Sequence, residues 1–207
     1  MKYLKMLGLA AVAAIALMAV VGASTASATQ LDKVTSGGAK DTLGVGTELH
    51  VSTAAGTTLN FTDTAGNPID TCKESTVKGS IAKPGGDTTT VNVALSVFTW
   101  AGCTQTTSTV VIGELEIHGI SVTDNGTVTG RNTKWTINVF GVSCVYGFGA
   151  GTDLGILTGT TSATGHATMA INAIINEQEP KQFLCPDSSK LTGSYIVTTP
   201  TGFYVTP

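Results

Sequence analysis

Apolar and polar residues alternate along most of the chain from Thr47 onward. Leu49 and Val51, for example, are separated and flanked by polar residues, and the longest alternating stretch runs from Thr88 to Trp100. A period of two residues is typical of a β-strand that buries one face. Because no stretch after residue 28 keeps a helical period over three turns, the pattern predicts an all-β protein.

Turn residues divide this alternation into about ten short strands. Asp124-Asn125-Gly126 predicts a hairpin, since Asn and Gly tolerate a positive φ. Within Thr88–Trp100 the apolar positions change face near Val97, which predicts a β-bulge. Further strands are predicted at Thr109–His118, Trp135–Cys144, Asp153–Thr158, Ala167–Ile175 and Lys190–Thr198. Many short strands with regular turns indicate a sandwich or a barrel, and we expect a disulfide-bonded β-sandwich of about ten antiparallel strands.

The first 28 residues have the pattern of a signal peptide. Lys2 and Lys5 are followed by an apolar run from Met6 to Val21, and Ala26-Ser27-Ala28 provides the small residues of a cleavage site. A membrane anchor is the alternative, but this run is shorter than the ~20 residues that span a bilayer. We expect the mature chain, from about residue 29 to 207, to be secreted, extracellular or loosely associated with the cell surface, without membrane insertion.

The mature chain has a length that suits one domain. Residues 29–46 lack a clear period and are expected to form a loose N-terminal segment before a β-sandwich domain at 47–207. Two pseudo-repeats, about 47–119 and 120–207, are suggested because Thr88–Cys103 parallels Ala167–Cys185. Chance similarity between alternating strands explains this parallel equally well.

Composition restricts the partners of the mature chain. Threonine is its most distinctive residue, and the β-branch of threonine suits a half-buried sheet. After residues 1–28 are removed, nine scattered basic residues face fourteen acidic ones. Nucleic acids and anionic membrane surfaces demand clustered Lys and Arg, so neither is an expected partner.

The four cysteines are even in number and belong to an exported chain, which favours two disulfides. Metal binding is the competitor, but no pair has the close spacing of a zinc site. Among the three possible connectivities we favour sequential pairing, because it matches the suggested repeat. The predicted bonds are Cys72–Cys103 and Cys144–Cys185, each worth up to roughly 4 kcal/mol.

Candidate catalytic groups are sparse. His50, His118 and His166 have no placed partner, and no nucleophile elbow or zinc-binding histidine pair is present. Glu114 and Glu116 share one strand face at a separation of about 7 Å, which suits a glycosidase pair. A solvated strand face is the simpler explanation. We expect no cofactor and no metal.

The aromatic residues are the candidates for a binding surface. Trp100 and Trp135 fall inside strands near cysteines, where core packing is favoured over a stacking platform for sugars. Tyr146 and Phe148 lie in a glycine-rich stretch from Tyr146 to Asp153, which we expect to be an exposed loop and a tentative ligand site. The alternative is a plain connection whose aromatics cover the edge of the core.

Three stretches resemble small exported proteins of unknown function that occur in several copies in some actinobacteria. They are Cys72–Gly79, Phe98–Cys103 and Cys185–Pro200. The resemblance covers about residues 47–207 and provides no functional residue. A more distant similarity, in the order of Cys and Gly blocks, is to secreted activators of alkane oxidation, which would imply an extracellular accessory role near hydrophobic substrates.

These observations favour a secreted, non-catalytic protein of the cell surface or extracellular matrix with a binding or structural role. The expected partner is a cell-wall or extracellular polysaccharide, or another surface protein. The alternative function is a secreted hydrolase that acts on polysaccharide through Glu114 and Glu116.

Overall fold

A computed structural model describes residues 28–86 and 90–207. The predicted signal peptide, apart from its last residue, lies outside the described residues. Within the two described ranges the chain forms sixteen strands and no helix. The strands are β1 Gln30–Val34, β2 Lys40–Thr42, β3 Glu48–Thr53, β4 Leu59–Thr62, β5 Pro68–Cys72, β6 Glu74–Lys83, β7 Val91–Ala101, β8 Thr106–Val111, β9 Glu114–Gly119, β10 Gly126–Arg131, β11 Thr133–Val139, β12 Val142–Phe148, β13 Thr152–Thr158, β14 Thr168–Glu177, β15 Ser188–Thr199 and β16 Phe203–Thr206.

Eight of these strands close into an antiparallel barrel. Their order around the barrel is β3, β6, β7, β9, β10, β13, β14 and β15, and β15 returns to β3. The all-β prediction is confirmed, but the sheet closes on itself where the sequence analysis expected a sandwich. Closure depends on the long strand β15, which pairs with β14 along one edge and with β3 along the other.

Five further strands extend the barrel at one end. The first half of β15 pairs with β4, which continues to β5. The end of β14 pairs with β12, which continues to β11 and β8. β5 and β8 are therefore the two terminal strands of a thirteen-stranded sheet.

The apolar core fills the barrel and the extension. Inside the barrel, Val, Leu and Ile side chains leave two small apolar cavities of about 50 Å³ each. In the extension, five aromatic rings pack together with centroid separations of 4.7–6.1 Å. These rings belong to Phe61, Phe98, Trp100, Trp135 and Phe148. The predicted core packing of the two tryptophans is confirmed for Trp135, which is fully buried, while Trp100 is half-buried.

The segment at 29–46, expected to be loose, contains the two strands β1 and β2. β1 pairs with β2 and with the C-terminal strand β16, forming a separate three-stranded sheet. Buried Asp32 joins these strands, because it accepts hydrogen bonds from Thr42 and Thr206 and lies 2.9 Å from the Lys40 ammonium. The partner strand is about 170 residues distant in sequence, so no local pattern could reveal it.

Strand boundaries agree with the alternation except at two places. The predicted strand Trp135–Cys144 is divided by a turn at Phe140-Gly141 into parts of β11 and β12, and the other disagreement is around Gly113. The predicted strand Thr109–His118 is divided there into β8 and β9. A Cβ at Gly113 would lie 1.9 Å from the Arg131 carbonyl oxygen, so the backbones approach too closely for a side chain. The predicted hairpin at Asp124-Asn125-Gly126 joins β9 to β10, and the predicted bulge lies at Ser96, beside Val97.

Both predicted disulfides are present. Cys72 is bonded to Cys103 and Cys144 to Cys185, which closes loops of 31 and 41 residues. The suggested duplication stays a prediction, because strands of the two halves are interleaved: β15 in the second half pairs with β3 and β4 in the first.

Candidate functional site

An open groove lies between the second half of β7 and β8. β7 pairs with β6 along its whole length, but it pairs with β9 only over Val91–Ala94. After the bulge at Ser96, the free edge of β7 faces β8, and no backbone ladder joins the two strands. The space between them has a volume of about 460 Å³.

The lining of this groove combines hydroxyl groups with apolar surface. The lining residues are Ser96, Val97, Phe98, Thr99, Trp100, Thr107, Ser108, Thr109 and Ile112. Thr99 and Ser108 are exposed at its opening, and Trp100 is half-buried. The buried Nε1 of Trp100 has no hydrogen-bond acceptor among the described residues. Buried polar groups are almost always bonded, so this N–H is an unusual feature of the site.

Isolated hydrogen bonds, rather than a continuous backbone ladder, join β7 to the opposite side of the groove. The Thr109 hydroxyl donates to the Phe98 carbonyl oxygen at 2.6 Å. At the end of the groove the Leu95 amide donates to the Gly113 carbonyl at 3.1 Å. The two strands therefore stay side by side without forming the continuous hydrogen bonds of a sheet.

Asp70 fixes the first residues of β8 against β5. One oxygen of its buried carboxylate accepts hydrogen bonds from the Thr71 amide, the Thr104 hydroxyl and the Gln105 amide at 2.7–2.8 Å. The other oxygen accepts from the Thr107 hydroxyl at 2.5 Å. Asp70 therefore joins the two terminal strands of the large sheet and holds one wall of the groove in place.

Asp70, Cys72 and Cys103 form a cluster of potential metal-ligating atoms. The two sulfur atoms are bonded to each other in a disulfide, and metals bind thiolates. The carboxylate is already occupied by four protein donors. The cluster is therefore a structural junction.

Charge is absent from the whole segment that builds the groove. No Asp, Glu, Lys, Arg or His occurs between Asp87 and Glu114, and this segment contains both β7 and β8. This absence of charged residues can be recognised in the sequence. The alternation alone, however, does not predict that the two strands lie on opposite sides of an opening.

The structure corrects the tentative ligand site at Tyr146 and Phe148. Both residues belong to β12, and their side chains are buried, with exposed fractions of 0% and 4%. The Tyr146 hydroxyl donates to the Pro186 carbonyl at 3.1 Å, and the Phe148 ring packs on Trp135. Glycine content misled the prediction, because Gly147 is needed where β12 contacts the backbone of β11: a Cβ there would lie 2.4 Å from the Thr133 oxygen.

Burial also changes the ionisation of Tyr146. It raises the pKa of the phenol, and the nearby carboxylates of Glu177 and Asp187 raise that pKa further. Glu177 is itself buried at the end of β14, where it accepts a hydrogen bond from the Gln182 amide at 2.8 Å. Glu177 thus has a structural role at the end of β14.

Glu114 and Glu116 lie on β9, on the face opposite the barrel interior. Their neighbours on the strand, Leu115 and Ile117, line the internal cavity. The Glu116 carboxylate lies 2.9 Å from the Arg131 guanidinium, and the Glu116 side chain is only 13% exposed. This ion pair holds the carboxylate against the neighbouring strand β10.

The histidines lie apart from one another. His50 is 3.5 Å from the Glu48 carboxylate, and the Nδ1 atom of His166 lies 2.9 Å from the Val197 carbonyl oxygen. His118 lies on β9 with Glu114 and Glu116. These surroundings place no histidine beside a nucleophile.

The two internal cavities are poor candidates for a ligand site. Each is lined by apolar side chains, and each volume is about 50 Å³, whereas pockets for small molecules usually exceed about 300 Å³. The groove between β7 and β8 meets that size and opens to solvent.

No protein-family model, curated protein or solved structure matches this chain. Among the described residues, no helix has the length and apolar character needed to cross a bilayer.

Proposed function

We propose that this chain is an exported, non-catalytic protein of the cell surface or extracellular matrix, which binds a partner in the groove between β7 and β8. The signal-peptide pattern supports export. The two disulfides are compatible with an oxidising, extracellular compartment.

The groove is the observation that carries this proposal. It combines a volume of about 460 Å³ with exposed hydroxyls and a half-buried tryptophan. Its walls are rigidly supported, because β7 is paired with β6 and β8 is paired with β11. At one end, Asp70 joins β8 to β5, and the Cys72–Cys103 bond joins the connection between β7 and β8 to β5. Binding sites are commonly built on such a rigid scaffold.

The state of the acidic residues supports a non-catalytic role. General acid–base chemistry needs a carboxylate that can reach a substrate proton. Asp32, Asp70 and Glu177 are buried and hydrogen-bonded within the fold. Glu116 is held by Arg131.

The test compares a groove variant with a matched control. Thr99→Arg places a large charged side chain at the groove opening, and Thr168→Arg makes the same change at another exposed strand threonine, at the start of β14. We expect the wild type and Thr168→Arg to be retained on the native cell wall or matrix, and Thr99→Arg to be released at least tenfold more. Equal retention of all three proteins would contradict the proposal.

A hydrolase panel tests the catalytic alternative. The purified protein should show no turnover of polysaccharide, ester or peptide substrates. Turnover that Glu116→Gln abolishes would replace the binding role with hydrolysis.

A further inference from the structure

We infer that the occupant of the groove between β7 and β8 is a neutral polysaccharide. This inference rests on the proposed function, because it names the ligand class of the same groove. It is supported by the absence of charge in the groove walls, by the arrangement of their side chains and by the hydrogen bond between Thr109 and Phe98.

The walls of the groove carry no charged side chain. The 26 residues at 88–113 contain no ionisable acidic or basic side chain, and they supply every residue that lines the groove. An acidic or basic polymer gains little from such walls, because charged ligands are usually held by opposite charges. An uncharged ligand has no ionic group whose removal from water would cost free energy when it enters the groove.

The walls of the groove combine apolar surface with hydroxyl groups. A sugar ring presents C–H groups on its faces and hydroxyls around its edge, so it needs apolar contact and hydrogen bonds together. Trp100, Val97 and Ile112 provide apolar area in the groove, while Thr99 and Ser108 place hydroxyls at its opening. The buried Trp100 N–H has no acceptor among the described residues, and the same is true of the core residue Trp135.

The shape of the groove fits an extended polymer. Its β7 wall runs from Ser96 to Trp100, which is about 13 Å of extended strand. The volume of about 460 Å³ accommodates a short run of linked sugar rings. The groove opens to solvent on the side where the exposed Thr99 and Ser108 lie.

A hydrogen bond at the free edge of β7 disfavours a peptide as the occupant of the groove. A peptide that adds to a sheet edge must use the free N–H and C=O groups of that edge. Within the groove the Phe98 carbonyl already accepts from Thr109. A peptide strand along this edge would have to displace that bond, whereas a sugar chain can lie above it.

The test uses defined polymers and the protein's own fluorescence. Trp100 is one of only two tryptophans, and the other, Trp135, is fully buried. Dextran, mannan, arabinogalactan and soluble cello-oligosaccharides represent neutral glycans, and alginate and chitosan represent acidic and basic ones. Binding is measured by the change in tryptophan fluorescence and by affinity electrophoresis.

We expect at least one neutral polymer to bind and alginate and chitosan to bind at least tenfold more weakly at moderate salt. Affinity for the neutral polymer should change less than twofold between low and high salt, since no ion pair is involved. Thr99→Arg and Ser108→Arg should each weaken binding at least tenfold, and Thr168→Arg should not.

Two results would overturn the inference in different ways. If no neutral polymer binds, but Thr99→Arg still releases the protein from native cell walls, the groove has another occupant and only the ligand class is wrong. If neutral polymers bind all three arginine variants equally, the groove is not the site, and the proposed function fails with the inference.

Discussion

The two halves of β7 have similar sequences but different surroundings. Val91–Ala94 pairs with β9, and Asn92–Ala94 also pairs with β6 across a register shift at Ala82. Val91 and Val93 are buried inside the barrel. Ser96–Trp100 keeps β6 on one side, but on the other side it faces a groove bridged by the Thr109 hydroxyl. The same alternating, uncharged sequence therefore builds a paired wall of the barrel in one half and one side of an open groove in the other.

Two local features produce this difference. The bulge at Ser96 shifts the register of β7 against β6 and changes the direction of the strand. Gly113 lets the chain pass close to the backbone at Arg131 and separates β8 from β9. β9 therefore covers the first half of β7, and β8 lies beside the second half without pairing.

The largest expected effect comes from removing the Asp70 carboxylate. In Asp70→Ala, four donors lose their buried acceptor, and the free energy of unfolding should fall by about 3 kcal/mol. Urea unfolding measures this change. Loss of neutral-polymer binding is expected as well, because one wall of the groove is no longer fixed.

Asp63→Ala is the matched control. Asp63 also accepts several hydrogen bonds, from Ala65 and Asn67, but it lies in the turn between β4 and β5. Its removal should cost clearly less stability and leave binding intact. If the two variants lose equal stability, Asp70 has no special role in joining the strands.

A smaller effect is expected from Gly113→Ala. The added Cβ would collide with the backbone at Arg131 and Asn132, and the resulting shift should cost roughly 2 kcal/mol. The cost is measured by thermal or urea unfolding. Gly149→Ala provides the control, since its Cβ would meet nothing closer than 4.0 Å; a neutral result at both positions would remove the explanation for the break between β8 and β9.

The folded protein should lose stability at alkaline pH. Burial raises the pKa of Tyr195, whose side chain lies inside the paired region of β15. The folded protein therefore keeps this phenol neutral while the unfolded chain ionises above pH 10, so stability is complete below pH 10 and falls as the pH rises further. The expected slope is about 1.4 kcal/mol per pH unit for each such tyrosine.

Urea unfolding between pH 8 and 11 measures this slope, and Tyr195→Phe should reduce it. Tyr146, whose pKa is also raised by burial, should account for part of the remainder. A stability that does not change above pH 10 would show that these phenols are not protected in the folded protein.

The sequence predicted much of the fold because its signals were local. Alternation identified most strands, the change of face near Val97 identified the bulge, and sequential pairing of the cysteines was correct. Closure into a barrel was missed, because it depends on β15 pairing with β3 about 145 residues earlier. The pairing of β1 with β16 was missed for the same reason.

The proposed binding site was harder to predict than the fold. Tyr146 and Phe148 were chosen because glycines surround them, yet Gly147 permits a close backbone contact inside the sheet, and only Gly149 and Gly151 lie beyond the end of β12. Trp100 was assigned to the core, which describes its packing on Phe98 and Phe61 but not its exposed side. A groove formed by the absence of pairing leaves no periodic signal in a sequence.

Residue-resolved hydrogen exchange tests the central claim most directly, because it reports on both halves of β7 in one experiment. In the free protein, amides of Ser96–Trp100 should exchange faster than those of Val91–Ala94, since exchange follows local opening. A bound neutral polysaccharide should slow exchange at Ser96–Trp100 and Thr107–Ile112 and leave the rest of the barrel unchanged. Equal protection of the two halves in the free protein, or ligand protection confined to another surface, would contradict the account.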